Sequence, residues 1–265
     1  MMNDEIKLNN GDFRSVDWGP IVKTWVFDPP YNIGFKYGKK VNDRMKFEEY
    51  KNMIFEASTV MFNSSQEHAN LFYINYQENA SRTLECFESA GWEFKQWITW
   101  VYPSNIGMSK NKCTRASRAI IWFTKGNPET DMKATVQPYR NPTDKRIIGQ
   151  MAKGSKGTHH YDWWEINLRK NVSKGFKGYY NQLPNALVER IILLTTKEHE
   201  VVADLMAGSG SHILPSLKLN RIPYANDIDP VAPKIWKETV NGWEQERIED
   251  KNQMSLLDGS FLPIG

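Results

Sequence analysis

The sequence predicts an α/β protein with a doubly wound, mostly parallel sheet, because short apolar runs alternate along the chain with stretches of helical periodicity. The apolar runs at residues 24–27 and 71–74 indicate buried strands. A helix is predicted at residues 78–90, where Gly91 would end it. An earlier helix is indicated by apolar residues at helical spacing: Phe47, Tyr50, Ile54, Ala57 and Met61.

The same alternation continues towards the carboxyl end. Further strands are predicted at residues 94–100, 119–124, 201–203 and 222–226, and further helices at residues 187–195 and 213–219. Such an order of elements is typical of a sheet with helices on both faces.

Size and composition are those of an ordinary globular protein of one compact unit with an insertion, at 265 residues and 25% charged residues. Cys86 and Cys113 show no Cys-x-x-Cys spacing and the amino terminus has no apolar signal core, which predicts a reducing, cytoplasmic location. No apolar run approaches the roughly twenty residues of a membrane helix, so we expect no membrane contact.

The adjacent His159 and His160 lack a partner at ligand spacing, which predicts a surface pair and no metal.

The tetrapeptide Asp28-Pro29-Pro30-Tyr31 follows the first predicted strand. Both prolines lack an N–H, and Pro30 shapes the turn, so the turn offers carbonyl acceptors with few competing donors. It would lie beyond the carboxyl end of a strand, where open α/β sheets bind ligands. The Asp28 carboxylate and the Pro29 carbonyl could then accept both hydrogens of an exocyclic base amine, while Tyr31 stacks on the ring. The alternative is that the prolines only end the strand and Tyr31 packs beneath it.

A second motif follows the predicted strand at 201–203, with Asp204 leading into a turn of small residues that contains Gly208 and Gly210. These glycines would let the backbone approach a ligand, and the turn N–H groups favour an anionic group. About twenty residues on, the next strand ends in Asn226 and Asp227, where a carboxylate can bind ribose hydroxyls. Together they predict a nucleoside cofactor site, and a tight turn without a ligand is the alternative.

With both motifs in view, the chain resembles the S-adenosylmethionine-dependent amino-methyltransferases of DNA, which methylate the exocyclic amine of adenine or cytosine. The motif order, with Asp28-Pro29-Pro30-Tyr31 first and the glycine turn later, is similar to the β class of that family. Gly11-Asp12 looks like the family's acidic pair near the cofactor adenine, and residues 96–126 and 180–192 resemble further family segments. The resemblance runs from about residue 10 to residue 236.

The resemblance implies a Rossmann-like methyltransferase fold, S-adenosylmethionine as cofactor and double-stranded DNA as partner, in a restriction-modification setting. Residues 1–124 and 181–240 would form the catalytic and cofactor domain, 125–180 a target recognition insertion, and 241–265 a tail that docks on the body or on a second subunit of a homodimer. The catalytic residues would be Asp28, Pro29, Pro30 and Tyr31. Cofactor contacts are expected from Asp12, Phe13, Asp28, Pro184, Asp204, Met206, Ala207, Gly208, Ser209, Gly210, Asn226 and Asp227.

The family's usual residue for adenine at the first motif position is Asp, which makes the N6 amine of a flipped adenine the expected target. The alternatives are an N4-cytosine or RNA methyltransferase, or a catalytically silent DNA-binding subunit with this fold. The chain departs from the family pattern at Arg118, where Glu is often found, at Tyr179, where His is common, at Leu183, where Lys is usual, and at Ser211-His212, which replaces Thr-Thr.

A basic stretch lies between the two motifs. Residues 125–177 carry eleven Lys or Arg against five Asp or Glu, whereas the whole chain has a formal net charge of only +3. Basic groups release counterions from phosphates, although a charge run alone is more often a solvated, loop-rich insertion. The resembled family carries its target recognition region at this position, which implies DNA contact here. The loop at 103–112 is also basic and either closes over DNA or is an ordinary exposed loop. The expected phosphate contacts are Lys110, Lys112, Arg140, Lys145, Arg146, Lys153 and Lys156.

Overall fold

A computed structural model describes residues 5–34, 36–37, 41–103, 110–169 and 182–258 of the chain. In these ranges the strands are β1 (Lys7–Asn10), β2 (Val22–Phe27), β3 (Lys36–Tyr37), β4 (Val41–Asn42), β5 (Ser65–Asn75), β6 (Glu93–Val101), β7 (Ser117–Lys125), β8 (Trp163–Glu165), β9 (Val201–Asp204) and β10 (Ile222–Asp227). The helices are α1 (Phe47–Asn63), α2 (Gln77–Ser89), α3 (Lys145–Ala152), α4 (Asn185–Thr195), α5 (Ile213–Lys218) and α6 (Ala232–Asp258). Tyr179 and most of the basic loop at 103–112 lie outside the described residues.

Eight strands form one sheet in the order β1-β10-β9-β2-β5-β7-β6-β8, and β3 pairs with β4 separately. Neighbouring strands from β1 to β5 in this order are parallel, as are β6 and β8. Strand β7 is antiparallel to both of its neighbours, because it enters between β5 and β6 from the opposite end. The predicted doubly wound, mostly parallel sheet is therefore confirmed.

Both faces of the sheet are covered. Along β2, Trp25 and Phe27 pack with α1 and α2 in one buried cluster, whereas Val26 packs in a second cluster with the apolar face of α4. This follows from the period of two in a strand, whose successive side chains point to opposite faces. Because both faces are buried, the central strands contain continuous apolar runs, such as residues 25–27 of β2 and 71–74 of β5, which is why they were visible in the sequence.

The described part of the basic stretch, up to residue 169, contains little regular structure. Between β7 and residue 169 it has the short helix α3, an isolated bridge between Gln137 and Thr158, and β8. Strand β8 pairs with β6, with Thr99 opposite Trp163, so the stretch is joined to the edge of the main sheet. Helix α6 continues without a break through residue 241, where the predicted tail would begin. The division into domains stays a prediction.

Candidate active site

Three adjacent parallel strands end at one edge of the sheet and place a carboxylate there. Asp28 follows β2, Asp204 ends β9 and Asp227 ends β10. All three line one cavity of about 470 Å³, which is in the size range of small-molecule sites, about 300–1,000 Å³. The two sequence motifs therefore meet in one site, at the edge where open α/β sheets bind their ligands.

Most residues that were predicted for catalysis or cofactor binding line this cavity: Asp12, Phe13, Asp28, Pro29, Pro30, Tyr31, Asp204, Met206, Ala207, Gly208, Ser209, Asn226 and Asp227. Pro184 and Gly210 are not among the residues that line it. The carbonyl of Pro184 instead accepts hydrogen bonds from the N–H groups of Leu187 and Val188 at the start of α4, at 3.0 and 3.3 Å. Its neighbour Leu183 does line the cavity.

Gly210 has a packing reason to be glycine. Its φ is +72°, and a Cβ at this position would lie 2.6 Å from both Ile213 Cδ1 and Trp236 Cδ1. Trp236 also donates a hydrogen bond from Nε1 to the Gly208 carbonyl, at 3.0 Å. Gly210 thus lets the turn pack closely on α6, whereas Gly208 is the glycine that faces the cavity.

The proline turn is held through two of its carbonyl groups. Tyr50 Oη donates to the Pro30 carbonyl at 2.9 Å, and Asn79 Nδ2 donates to the Tyr31 carbonyl. No described residue donates a hydrogen bond to the Pro29 carbonyl. Among the described residues, the Pro29 carbonyl is therefore an acceptor without a donor. Its use by a base amine stays a prediction.

A buried polar network supports the turn from below. The Nδ2 group of Asn75 donates to Tyr50 Oη at 2.7 Å and to Tyr73 Oη at 2.8 Å, so both of its hydrogens are used. Tyr73 Oη is 3.0 Å from Thr83 Oγ1, and burial raises the pKa of Tyr73 to about 12. The network is therefore neutral at physiological pH, and it fixes the hydroxyl that Tyr50 turns towards Pro30.

Asp28 is linked to a buried cation. Tyr31 donates a hydrogen bond from Oη to Asp28 Oδ1, and Arg118 Nη1 donates to Tyr31 Oη at 2.9 Å. Burial raises the pKa of Asp28 to about 6, although the charge of Arg118 and the hydrogen bond from Tyr31 lower it. At neutral pH most of the carboxylate is therefore ionised and can accept hydrogen bonds from an amine.

Asp227 organises the glycine turn. Its Oδ2 accepts a hydrogen bond from the Gly208 N–H at 2.7 Å, and its Oδ1 accepts one from the Asp229 N–H at 2.8 Å. Next to it, Asn226 Nδ2 donates to the carbonyls of Gly11 and Leu205, at 3.2 and 3.1 Å. These two side chains tie the ends of β9 and β10 to the amino-terminal segment that follows β1.

The cavity gathers several carboxyl groups. Burial raises the pKa of Asp204 well above its usual value, the hydrogen bond from the Met206 N–H lowers it, and the nearby Asp28 and Asp227 raise it. Burial likewise raises the pKa of Asp227. Carboxyl groups whose ionised form is disfavoured in this way gain from a positively charged ligand. These carboxyl groups therefore fit S-adenosylmethionine. Its sulfonium and amino groups are cationic, and its ribose hydroxyls can donate hydrogen bonds to a carboxylate.

The remaining parts of the wall include residues that were not predicted as site residues: Arg14, Met45, Glu49, Met53, Gln182, Leu205, Ile228 and Asp229. Most lie next to a predicted element or motif, and this proximity was the signal in the sequence that could have identified them.

The predicted Asp12 caps a short 3-10 turn at Phe13–Ser15, where its Oδ1 accepts a hydrogen bond from the Arg14 N–H at 2.9 Å. Leu183, noted as a departure, donates from its N–H to Ser211 Oγ at 3.2 Å and so joins α4 to the glycine turn.

The predicted phosphate contacts are exposed: Lys110, Lys112, Arg140, Lys145, Arg146, Lys153 and Lys156. The Arg140 guanidinium lies 4.5 Å from the centre of the Trp163 ring, and Arg146 pairs with Asp144 at 3.2 Å. Their contact with DNA stays a prediction.

The prediction of a surface pair is wrong for His160. His159 is exposed, but His160 is partly buried next to Trp164, with Nε2 2.9 Å from Thr135 Oγ1. Among the described residues no group of three or more His, Cys, Asp or Glu side chains could hold a metal ion. Within the same residues no helix is long and apolar enough to span a membrane.

Comparison with known protein families identifies the family of this chain. A family model described as DNA methylase, of the N6 and N4 type, matches residues 22–238, which include both motifs. The chain belongs to this family. It is a DNA amino-methyltransferase of the N6 or N4 type, and its cofactor is S-adenosylmethionine. The predictions of the family, the fold and the cofactor are thereby confirmed.

Relatives of this methyltransferase include two type II methyltransferases. M.HpaI of Haemophilus parainfluenzae is 27% identical over 82% of the chain and 67% of its own length, and M.BglII of Bacillus subtilis is 28% identical over 87% and 67%. The chain thus spans about two thirds of each relative. Among solved structures, the cytosine-N4-specific PvuII DNA methyltransferase superposes with a TM-score of 0.67 at 15% identity, over 88% of the chain and 87% of its own. At this identity the likeness shows the fold alone.

Proposed function

We propose that this methyltransferase transfers a methyl group to the exocyclic N6 amine of an adenine that is flipped out of double-stranded DNA. The observation that supports it best is that Asp28 and Pro29 line the same cavity as Asp204, Gly208 and Asp227. An acceptor pair for an amine and an acidic pocket for a cationic cofactor are then within one site. The target amine is paired and stacked within a duplex, so the base must leave the helix to reach them.

In this proposal Asp28 and the Pro29 carbonyl each accept one hydrogen of the amine. Positive charge develops on the nitrogen as it attacks the methyl group, and both acceptors stabilise that charge, so they stabilise the transition state more than the ground state. Tyr50 and Asn79 donate to the carbonyls of Pro30 and Tyr31, whereas the Pro29 carbonyl receives no hydrogen bond from the described residues and would accept from the base. The Asp28 carboxylate, with its pKa raised to about 6, is also placed to take the proton that the amine loses.

The cofactor supplies an electrophilic methyl group on a positively charged sulfur. Asp227 and Asp12 would hold its hydroxyl and adenine groups, Asp204 would face its cationic end, and Gly208 would allow close approach of the turn. Phe13, Met206, Ala207, Ser209 and Asn226 complete the wall on this side. Holding the two reactants at contact distance supplies much of the rate enhancement in such a site.

Residues 125–180 would contact DNA, with the exposed basic side chains on phosphates and Tyr31 stacked on the flipped base. The Arg140 guanidinium, which lies over the Trp163 ring, supports a role of this stretch in DNA contact. Such contacts would make binding fall steeply as salt increases.

The decisive experiment identifies the product. The protein is incubated with methyl-labelled S-adenosylmethionine and, in separate reactions, with unmethylated DNA or RNA. Each nucleic acid is digested to nucleosides, and the labelled nucleoside is identified. We expect N6-methyladenine. Label in N4-methylcytosine would overturn the choice of base, and label in RNA alone would overturn the choice of nucleic acid.

The Asp28→Ala variant tests the role of the acceptor. It should lower the transfer rate by about a hundredfold or more, whereas calorimetry should show nearly unchanged binding of S-adenosylmethionine. A variant that keeps near-normal turnover would contradict the assignment. Loss of cofactor binding in the unaltered protein would instead identify a catalytically silent subunit.

A further inference from the structure

We propose that Arg118 is a positioning residue for methyl transfer, which acts through Tyr31 to fix the orientation of the Asp28 carboxylate at the cavity wall. This inference rests on the proposed role of Asp28. The sequence identified Arg118 only as a departure from the family pattern, without a role.

The contacts define a direction for the hydrogen bonds. A guanidinium has donors and no acceptor, so its bond to Tyr31 Oη must use an oxygen lone pair. The single hydroxyl proton of Tyr31 is then free for Asp28 Oδ1, to which it donates. Arg118 thus occupies one lone pair of the Tyr31 oxygen, and its positive charge disfavours the opposite arrangement, in which a protonated Asp28 donates to Tyr31.

Arg118 is held rigidly for this task. It lies on β7 and is 2% exposed. Its Cζ lies 4.9 Å from the centre of the Tyr31 ring, and at 5.2 to 5.7 Å from the centres of the Trp100, Tyr76 and Tyr102 rings. A planar cation is attracted to aromatic faces, so these rings fix the guanidinium plane without neutralising its charge.

Stability does not explain this residue. Among the described residues, Arg118 makes no ion pair at contact distance, and its buried Nε has no hydrogen-bond partner. A buried cation with an orphaned donor is costly to the folded state. An arrangement that costs stability next to a functional carboxylate is typical of a residue retained for the site.

The charged surroundings of Asp28 make the effect of Arg118 testable. Burial raises the pKa of Asp28, and Arg118 and Tyr31 are the groups that lower it. Arg14 also lines the cavity, but it pairs with Asp12 and Glu56. The other titratable groups on the cavity wall are acids: Asp12, Glu49, Asp204, Asp227 and Asp229. Without Arg118, Asp28 would keep its acidic neighbours and lose its buried cation.

The experiment compares Arg118→Met, Arg118→Lys and Tyr31→Phe in the full chain. The titration of the Asp28 carboxyl carbon is followed by NMR and assigned with Asp28→Asn. We expect Arg118→Met to raise the midpoint by about one pH unit or more, Arg118→Lys to raise it less because the charge remains, and Tyr31→Phe to raise it through loss of the hydrogen bond. Should Arg118→Met fail to fold, the other two variants carry the test.

The matched control is Arg115→Met. Arg115 also lies over the Tyr76 ring, at 3.9 Å, but it pairs with Glu78 at 2.7 Å and is not among the groups that shift Asp28. The Arg115→Met variant should leave the midpoint of the Asp28 titration unchanged. An unchanged midpoint in Arg118→Lys and Tyr31→Phe, with folded protein, would overturn the inference.

A second readout separates this inference from the proposed function. The acid limb of kcat against pH should move upward with the NMR midpoint in each variant, and activity should recover at higher pH, whereas KM for S-adenosylmethionine stays the same. A role in folding alone would lower the melting temperature and leave the pH profile in place, which would overturn the inference. If the NMR midpoint moves and the kcat profile does not, then the coupling of Arg118 to Asp28 stands and the proposed role of Asp28 in transfer fails.

Discussion

The Tyr50 hydroxyl donates a hydrogen bond of 2.9 Å to the Pro30 carbonyl and so joins helix α1 to the turn that follows β2. Tyr50 is fully buried and does not line the cavity. The position of the catalytic turn therefore depends on a residue that cannot touch the substrate.

Replacing Tyr50 with Phe should lower kcat by about ten- to hundredfold, since small displacements of reacting groups cost this much. It should also lower the free energy of unfolding by about 1–3 kcal/mol, because a buried acceptor and the Asn75 donor lose their partner. Single-turnover kinetics and urea unfolding measure the two effects. The control is Tyr73→Phe, which removes a hydroxyl from the same network without touching the turn; it should cost stability but not kcat. Equal loss of kcat in both variants would contradict the prediction.

Replacing Asp227 with Asn should weaken binding of S-adenosylmethionine by about tenfold or more, because charge-assisted hydrogen bonds contribute about 1.5–3 kcal/mol. The amide also places donor hydrogens against the N–H of Gly208 or Asp229. Calorimetry provides the affinity. Asp17→Asn is the matched control, since Asp17 Oδ1 also accepts from a backbone N–H, that of Gly19 at 3.0 Å, but does not line the cavity. An affinity that falls equally in both variants would assign the effect to net charge alone.

Replacing Gly210 with Ala should destabilise the protein by about 2–4 kcal/mol, because the methyl group meets Ile213 and Trp236 and φ is positive. Gly242→Ala is the control, since no atom lies within 4 Å of a Cβ there and the residue lies within α6. That change should stabilise by up to about 1 kcal/mol. Thermal and urea unfolding distinguish the two, and a stable Gly210→Ala protein would show that the turn can move away from α6.

The buried His212 should make stability depend on pH. Burial lowers the pKa of His212 to about 4, and its Nε2 lies 2.9 Å from the Tyr224 carbonyl. The unfolded chain takes up the proton near pH 6.5, well before the folded one. Stability from this residue is therefore complete above about pH 6.5 and falls by up to about 3 kcal/mol as the pH drops towards 4.

His212→Gln removes the titration and keeps a side-chain donor, so its free energy of unfolding should fall less between pH 7 and 4 than that of the unaltered protein. The exposed His199 serves as control through His199→Asn, which should keep the original slope. Parallel slopes for His212→Gln and the unaltered protein would refute the assignment. Urea unfolding at a series of pH values provides the comparison.

The sequence predicted the parts of the site that depend on local pattern. Asp28, Asp204 and Asp227 each end an apolar run, and the ends of parallel strands share one edge of a sheet. The links that hold the site could not be predicted, because Tyr50 to Pro30 and Arg118 to Tyr31 depend on which elements become neighbours. Arg118 comes within reach of Tyr31 because β7 enters next to β5 from the opposite direction. The need for Gly210 likewise depends on where α6 packs.

The strand order also has a consequence for synthesis on the ribosome. Strand β2 lies between β5 and β9, yet β9 is more than half the chain further on. Until it emerges, one side of β2 presents unpaired backbone groups beside Trp25 and Phe27, a surface prone to association with other chains. We expect the nascent protein to depend on chaperones until the glycine turn has been made, and completion of the fold to be limited by this late insertion.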